Sequence, residues 1–172
     1  MSHIEVIDEP AFTFGSPDNP RRYLHQWNLS EGERPLAIHG VIIDGTPTAV
    51  FGASGGVTAV HPHSLLSVGH RHYLAVGPYI VCFDAAPFQH HWTLQIDQAA
   101  CFGVYRHDAS GTLLSHGELE ICRFDEAGRI VWASSGADIF TEGFSLLPTH
   151  VEAIDFNDEI YRFRYVDGRP YG

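Results

Sequence analysis

The sequence predicts an all-β protein: an antiparallel meander of short strands in blade-like units of about 41 residues, preceded by an irregular N-terminal arm. Three observations carry this. Phe83, Phe124 and Tyr165 fall 41 residues apart, each closing a strand-like run (PYIVCF, ELEICRF, EIYRFRY), and self-similarity at a fixed period is the mark of repeated supersecondary units. Apolar runs are short and broken by Gly, Pro and Asp at brief intervals, as in antiparallel sheets. No segment sustains the 3.6-residue apolar period of a helix.

The repeat extends beyond the aromatics. Gly77 and Gly117 precede the first two runs, Asp84 and Asp125 follow them, and Trp92 and Trp132 come eight and seven residues later. Asp97 and Asp138 follow the tryptophans by five and six. Ile43-Asp44-Gly45, 40 residues before Phe83, is a fainter fourth copy.

Taken in order, residues 1–35 are punctuated by Pro10, Pro17, Pro20 and Pro35 and read as an arm, with the aromatics of Tyr23–Trp27 able to lie over a sheet. Residues 36–172 form the all-β body of a single domain. Leu36–Ile43 reads as a strand, Asp44-Gly45 as a turn and Thr48–Phe51 as its partner. Gly52-Ala53-Ser54-Gly55-Gly56 fits the G-x-S-x-G pattern of a serine nucleophile, but the elbow needs a helix directly after the serine. Here Val57–Val60 favours a strand, so the stretch reads as a glycine-rich turn. Five apolar runs lie between Leu65 and Tyr105, parted by Gly69, Gly77-Pro78, Asp84–Pro87 and Asp97-Gln98. Glu118–Phe124, Asp125–Gly128 and Arg129–Trp132 form a hairpin, and Val151–Phe156 with Glu159–Val166 form another across Asn157-Asp158. Units of four strands then divide at residues 78–83, 92–96, 101–105 and 112–116, followed by 118–124, 129–133, 139–147 and 151–156.

The Phe-Asp pair, the glycine turn and the apolar pair with Trp132 resemble the hairpin of quinoprotein-type β-propeller repeats over residues 77–168. The resemblance implies a β-propeller-like fold and nothing about quinone, because cofactor binding in that family needs a full ring of blades and residues that have no match here. Closure as a barrel or sandwich is the alternative. The open edge calls for the arm or a second copy, hence an expected homo-oligomer.

Charge and composition exclude several functions. With 21 acidic residues against 10 Lys plus Arg, all of them arginine, the net charge is −11, so nucleic acid and anionic membranes are excluded as partners. The lack of lysine removes a Walker-type phosphate loop, the protein-kinase lysine and any Schiff base. No apolar run approaches the ~18 residues of a membrane span, and MSHIEVIDEP is acidic where a secretory signal is basic, so a cytoplasmic protein is expected. Cys82, Cys101 and Cys122 form no C-x-x-C and read as reduced core residues.

Twelve histidines include two H-x-H pairs, His61/His63 and His70/His72, which on strands would each place two imidazoles on one face for a divalent transition metal. The cupin site adds a carboxylate, and none occurs between His63 and Asp84. The recurring Asp84, Asp97, Asp125 and Asp138 read as turn residues, since every unit needs one whereas a catalytic group is needed once. The sequence therefore predicts a non-enzymatic interaction or small-ligand-binding module without a cofactor. The alternative is a metal-dependent, cupin-like enzyme using the histidine pairs.

Overall fold

The computed structural model describes residues 1–172, in 15 strands. The first sheet holds β1 (Ile4–Asp8), β2 (His25–Asn28), β3 (Ala37–Ile43) and β4 (Thr46–Ala53) in the order β1-β3-β4-β2. The second holds β5 (Leu65–Val68), β6 (Arg71–Val76), β7 (Tyr79–Ala85) and β8 (Phe88–Gln95) in chain order. The third holds β9 (Cys101–His107), β10 (Thr112–Gly117), β11 (Glu120–Phe124) and β12 (Ile130–Ser135), also in chain order. The fourth holds β13 (Gly143–Leu146), β14 (His150–Ile154) and β15 (Ile160–Arg164). All pairings are antiparallel except β2 on β4. There are four separate sheets and no closed barrel, so the blade-like reading holds over the barrel alternative.

Phe83 and Phe124 mark equivalent places, whereas Tyr165, the third aromatic of the series, is half-buried just past the end of β15 and beside no register slip. The register slips between Cys82 and Phe83 of β7 and between Arg123 and Phe124 of β11, and the extra residue lies in the partner strand, His91 of β8 and Val131 of β12, so each phenylalanine faces a bulge in the fourth strand of its sheet. The first sheet slips between Val41 and Ile42, which identifies β3 as the same strand and makes the Asp44-Gly45 turn a true copy. Both turn residues have positive φ, 49° and 81°, as a two-residue hairpin with the right-handed twist of its strands requires.

The phase of the unit differs from the sequence partition. Residues 78–83 and 118–124 are third strands and not first ones; the sheets divide at the connections 54–64, 96–100 and 136–142. A period is blind to phase, and the reverse turns inside a sheet carry the same Gly, Pro and Asp as the crossovers between sheets. The arm also differs, since it contributes β1 and β2. Val57–Val60 forms no strand, and of residues 139–147 only Gly143–Leu146 does.

Apolar faces meet between successive sheets. Val41, Phe51 and Ala53 pack on Leu74, Val76, Val81 and Phe83. Tyr73, Ile80 and Cys82 pack on Val104, Leu113, Cys122 and Phe124, and Leu114, Ile121 and Trp132 on Val151, Ala153 and Phe163. Each fully buried large apolar side chain contributes roughly 1.5–3 kcal/mol. The arm covers the outer face of the first sheet, where Phe12 and Tyr23 join Ile38 and Val50. Tyr23 lies on Gly40 and Phe14 on Gly52, positions where any Cβ would collide with the ring. On β15, Arg162 pairs with Glu152 and Arg164, the last residue of the strand, pairs with Asp167.

The repeated tryptophans are clamps. Trp92 Nε1 donates to the Glu126 carbonyl at 2.9 Å, in the turn that follows β11 of the next sheet. Trp132 Nε1 donates to the Tyr165 carbonyl at 2.9 Å, just past β15 of the sheet after that. Each indole rests on a turn glycine, Gly128 and Gly168 respectively. At the first joint Trp27 of β2 takes this place, stacked on Phe51 with ring centroids 5.1 Å apart and lying beside Phe88.

Candidate functional site

The connection 54–64 reaches from β4 to β5 and is pinned at several points. Val60 N–H donates to the Asp8 carboxylate at 3.1 Å, Gly77 N–H to Thr58 Oγ1 at 3.2 Å, and His61 N–H to Ser64 Oγ at 2.9 Å. The His63 carbonyl then accepts from Val104 N–H of β9 at 2.9 Å. Gly103 beside it lacks a side chain because His63 and the Tyr105 ring fill that space.

This placement assembles a run of stacked rings from three segments that are distant in sequence. His63 stacks on Tyr105 at 4.5 Å, Tyr105 meets Phe144 of β13 at 4.6 Å, and Phe144 stacks on His116 of β10 at 4.7 Å and 7°. Phe102 closes the run edge-on to His116 at 5.2 Å. The strands involved are the innermost two of the third sheet and the first of the fourth. His63 is exposed, while Tyr105, Phe144, His116 and Phe102 are half-buried.

His116 Nε2 lies 2.8 Å from the Phe140 carbonyl. A carbonyl only accepts, so Nε2 carries the proton and Nδ1 is left as an acceptor. Burial holds the His116 pKa below the ordinary imidazole value, so the ring is neutral at pH 7. His39, fully buried, is likewise held down by desolvation, against an opposing pull from Asp8. Burial raises the Tyr105 phenol. The half-buried rings of Tyr105, Phe144 and His116 are therefore uncharged, inside a chain of net charge −11.

Asp8, His39 and Thr58 stand in the chemical order of a nucleophile triad. His39 Nδ1 is 3.2 Å from Asp8 Oδ1 but has no aligned hydrogen bond, and Nε2 is 3.3 Å from Thr58 Oγ1. Thr58 already accepts the Gly77 amide, and His39 is shielded from solvent, so the trio is a clamp for the connection. Ser54 sits at the end of β4 with no helix after it, and Gly55 and Gly56 are pressed against Pro78, Ala99 and Ala100. That stretch is the close-packed turn the sequence suggested.

The four histidines singled out by sequence occupy two places. His61 and His63 lie in the connection and not on a strand, and His61 Nδ1 accepts the His63 amide at 3.1 Å. His70 is exposed in the turn between β5 and β6, whereas His72 is buried on β6 with Nδ1 2.8 Å from Ser67 Oγ. The shared-face geometry expected of a strand pair is absent from both. No group of three or more His, Cys, Asp or Glu side chains converges to hold a metal ion.

The repeated aspartates act on backbone amides or ion pairs. Asp125 accepts from the amides of Ala127 and Arg129 at 3.0 Å each, as a turn cap. Asp155, which the sequence reading passed over, does the same for Asn157 and Glu159. Asp84 bridges Arg71 and His91, and Asp138 accepts from Ile139 N–H and the Asn157 amide. Tyr105, Phe102 and Phe144 were also passed over. Their signal is a glycine in contact with a ring (Gly103) or beside one (Gly143), visible only once these strands are known to be innermost.

No family model matches this sequence, and no curated protein matches it. Solved structures do. A computationally designed protein, Ika8, aligns at a TM-score of 0.57 and 12% identity over 81% of this chain and 46% of its own. BamB from Moraxella catarrhalis, a β-propeller, aligns at 0.56 and 9% identity over 89% of this chain and 51% of its own. The fold is thus β-propeller-like, and the chain spans about half the length of the structures it matches. No helix is long and apolar enough to cross a membrane.

Proposed function

We propose that this chain is a non-enzymatic binding module that holds a small, flat, neutral or cationic ligand on the ring stack His63–Tyr105–Phe144–His116. The observation that carries the reading is the stack itself: four rings in series across two sheets and one connection, held by backbone hydrogen bonds and edged by an exposed imidazole. Aromatic faces attract flat partners and cations, and the acidic chain adds a long-range pull on positive ligands.

Proflavine, a flat cation, serves as the probe. Its fluorescence titration is expected to saturate at one site per chain and to weaken at least tenfold in Tyr105→Ala and severalfold in His63→Ala. Equal binding by the wild type and Tyr105→Ala at matched ionic strength would remove the stack as the site.

A further inference from the structure

We infer that the inner edge of β1 is a docking site for an extended basic peptide, which adds to the first sheet as its missing innermost strand.

The second and third sheets each run from an innermost to an outermost strand in chain order, and the bulges align β3 with β7 and β11. By that alignment β4 corresponds to β8 and β12, each followed by a crossover to the next sheet, and β1 corresponds to β6 and β10. The strand equivalent to β5, β9 and β13 is absent from the first sheet. Extra strand β2 lies on the far side, against β4, and leaves the inner edge as it was.

That edge has its hydrogen-bonding groups turned outward. Glu9 N–H donates to the Ile38 carbonyl and Asp44 N–H to the His3 carbonyl, with Glu5 opposite Ile42 and Ile7 opposite Gly40. In an antiparallel pair alternate residues face the partner, so residues 3, 5, 7 and 9 bond β3. The amides and carbonyls of Ile4, Val6 and Asp8 point to the vacant side. An open row of this kind is a template for strand addition.

Beside it lies a cavity of about 400 Å³ lined by Ile4, Leu65, Ser67, His72 and Ala85. It accepts the apolar side chains that an added strand would direct toward the second sheet. Ile4 and Val6 point the same way, into the core between these sheets. Glu5 therefore faces the opposite side; it is exposed and enters no ion pair. Opposite charges across a strand pair are favourable, so the strand that fits alternates apolar and basic residues. A second copy of this chain is repelled by its own net charge of −11, and its alternating strand Ile160–Arg164 already holds both arginines in pairs with Glu152 and Asp167.

The test uses a fluorescein-labelled synthetic peptide, Arg-Val-Arg-Val-Arg-Val-Arg, and the full chain. Anisotropy should rise to saturation, and hydrogen exchange should slow at the amides of Ile4, Val6 and Asp8 and not at those of Glu5 and Ile7. Val6→Pro removes a donor on the free side only, a place where an edge strand tolerates proline, and should weaken binding at least tenfold, whereas Val6→Ala, which loses the same core packing but keeps the amide, should bind like the wild type. Glu5→Arg, which keeps the backbone intact, should weaken it severalfold. The inference is overturned by the absence of saturable binding, by equal affinity in Val6→Pro, or by equal affinity for the peptide with Glu in place of Arg. A homodimer that Val6→Pro dissolves would place a second copy on this edge and equally overturn it.

Discussion

Gly128 rests against the indole of Trp92, although the two belong to different sheets. The glycine has φ of 80°, in the left-handed region, and a Cβ there would press into the ring. The tryptophan in turn donates to the carbonyl of Glu126 in the same turn. Gly128→Ala is expected to cost about 2 kcal/mol, part backbone strain and part loss of this seat. Urea denaturation measures it, and Gly111→Ala, with φ of 68° and only the Arg106 side chain nearby, reports the strain alone. An equal loss at both positions would show that the contact with Trp92 adds nothing.

Asp97, 2% exposed, ties the second sheet to the third. Its Oδ1 accepts from Ala99 N–H at 2.7 Å and Ala100 N–H at 3.2 Å, while Oδ2 accepts from the amides of Leu119 and Glu120 at 3.0 Å each. Asp97→Ala orphans these four donors, and a loss of about 3 kcal/mol is expected. Asp138→Ala, an exposed residue at the equivalent crossover, should lose less than about 1 kcal/mol. Similar losses would contradict the tie.

Stability should fall as pH drops below neutrality. Burial lowers the pKa values of His39, His72, His90 and His116. Each ring stays neutral in the folded chain while the unfolded chain takes up its proton near the ordinary value of about 6.5. The contribution is intact above that value and is lost as pH falls from it toward the depressed folded one. Denaturation midpoints at pH 7.5 and 5.5 should differ, and His116→Gln, which keeps a donor for the Phe140 carbonyl, should narrow the gap. An unchanged gap would mean that His116 titrates alike in both states.

All three thiols are free and buried. Burial pushes Cys82 up to about 11 and Cys122 up to about 12, and it raises Cys101 as well. Ellman's reagent at pH 8 should therefore find no fast thiol in the native chain and three per chain in guanidinium. One rapid thiol in the native chain would place a cysteine at an accessible site.

The sequence alone determined the class and the beat. Short runs such as PYIVCF, glycine-broken, exclude long helices by their length, and Phe83 and Phe124 recur because the third strands of the second and third sheets carry the same ring at the same register slip. It also determined that Cys82 and Cys122 are packing residues, since both stand inside such runs. Tertiary structure alone decided where one sheet stops and the next begins, because in-sheet turns and crossovers share one residue vocabulary and differ only in what they pack against. It decided that His61 and His63 belong to a crossover pinned by Asp8, which strand periodicity cannot reveal. The ring stack and the free edge of β1 are products of the same cause: both are made by segments brought together across sheets, and contacts between segments tens of residues apart leave no local pattern in the chain.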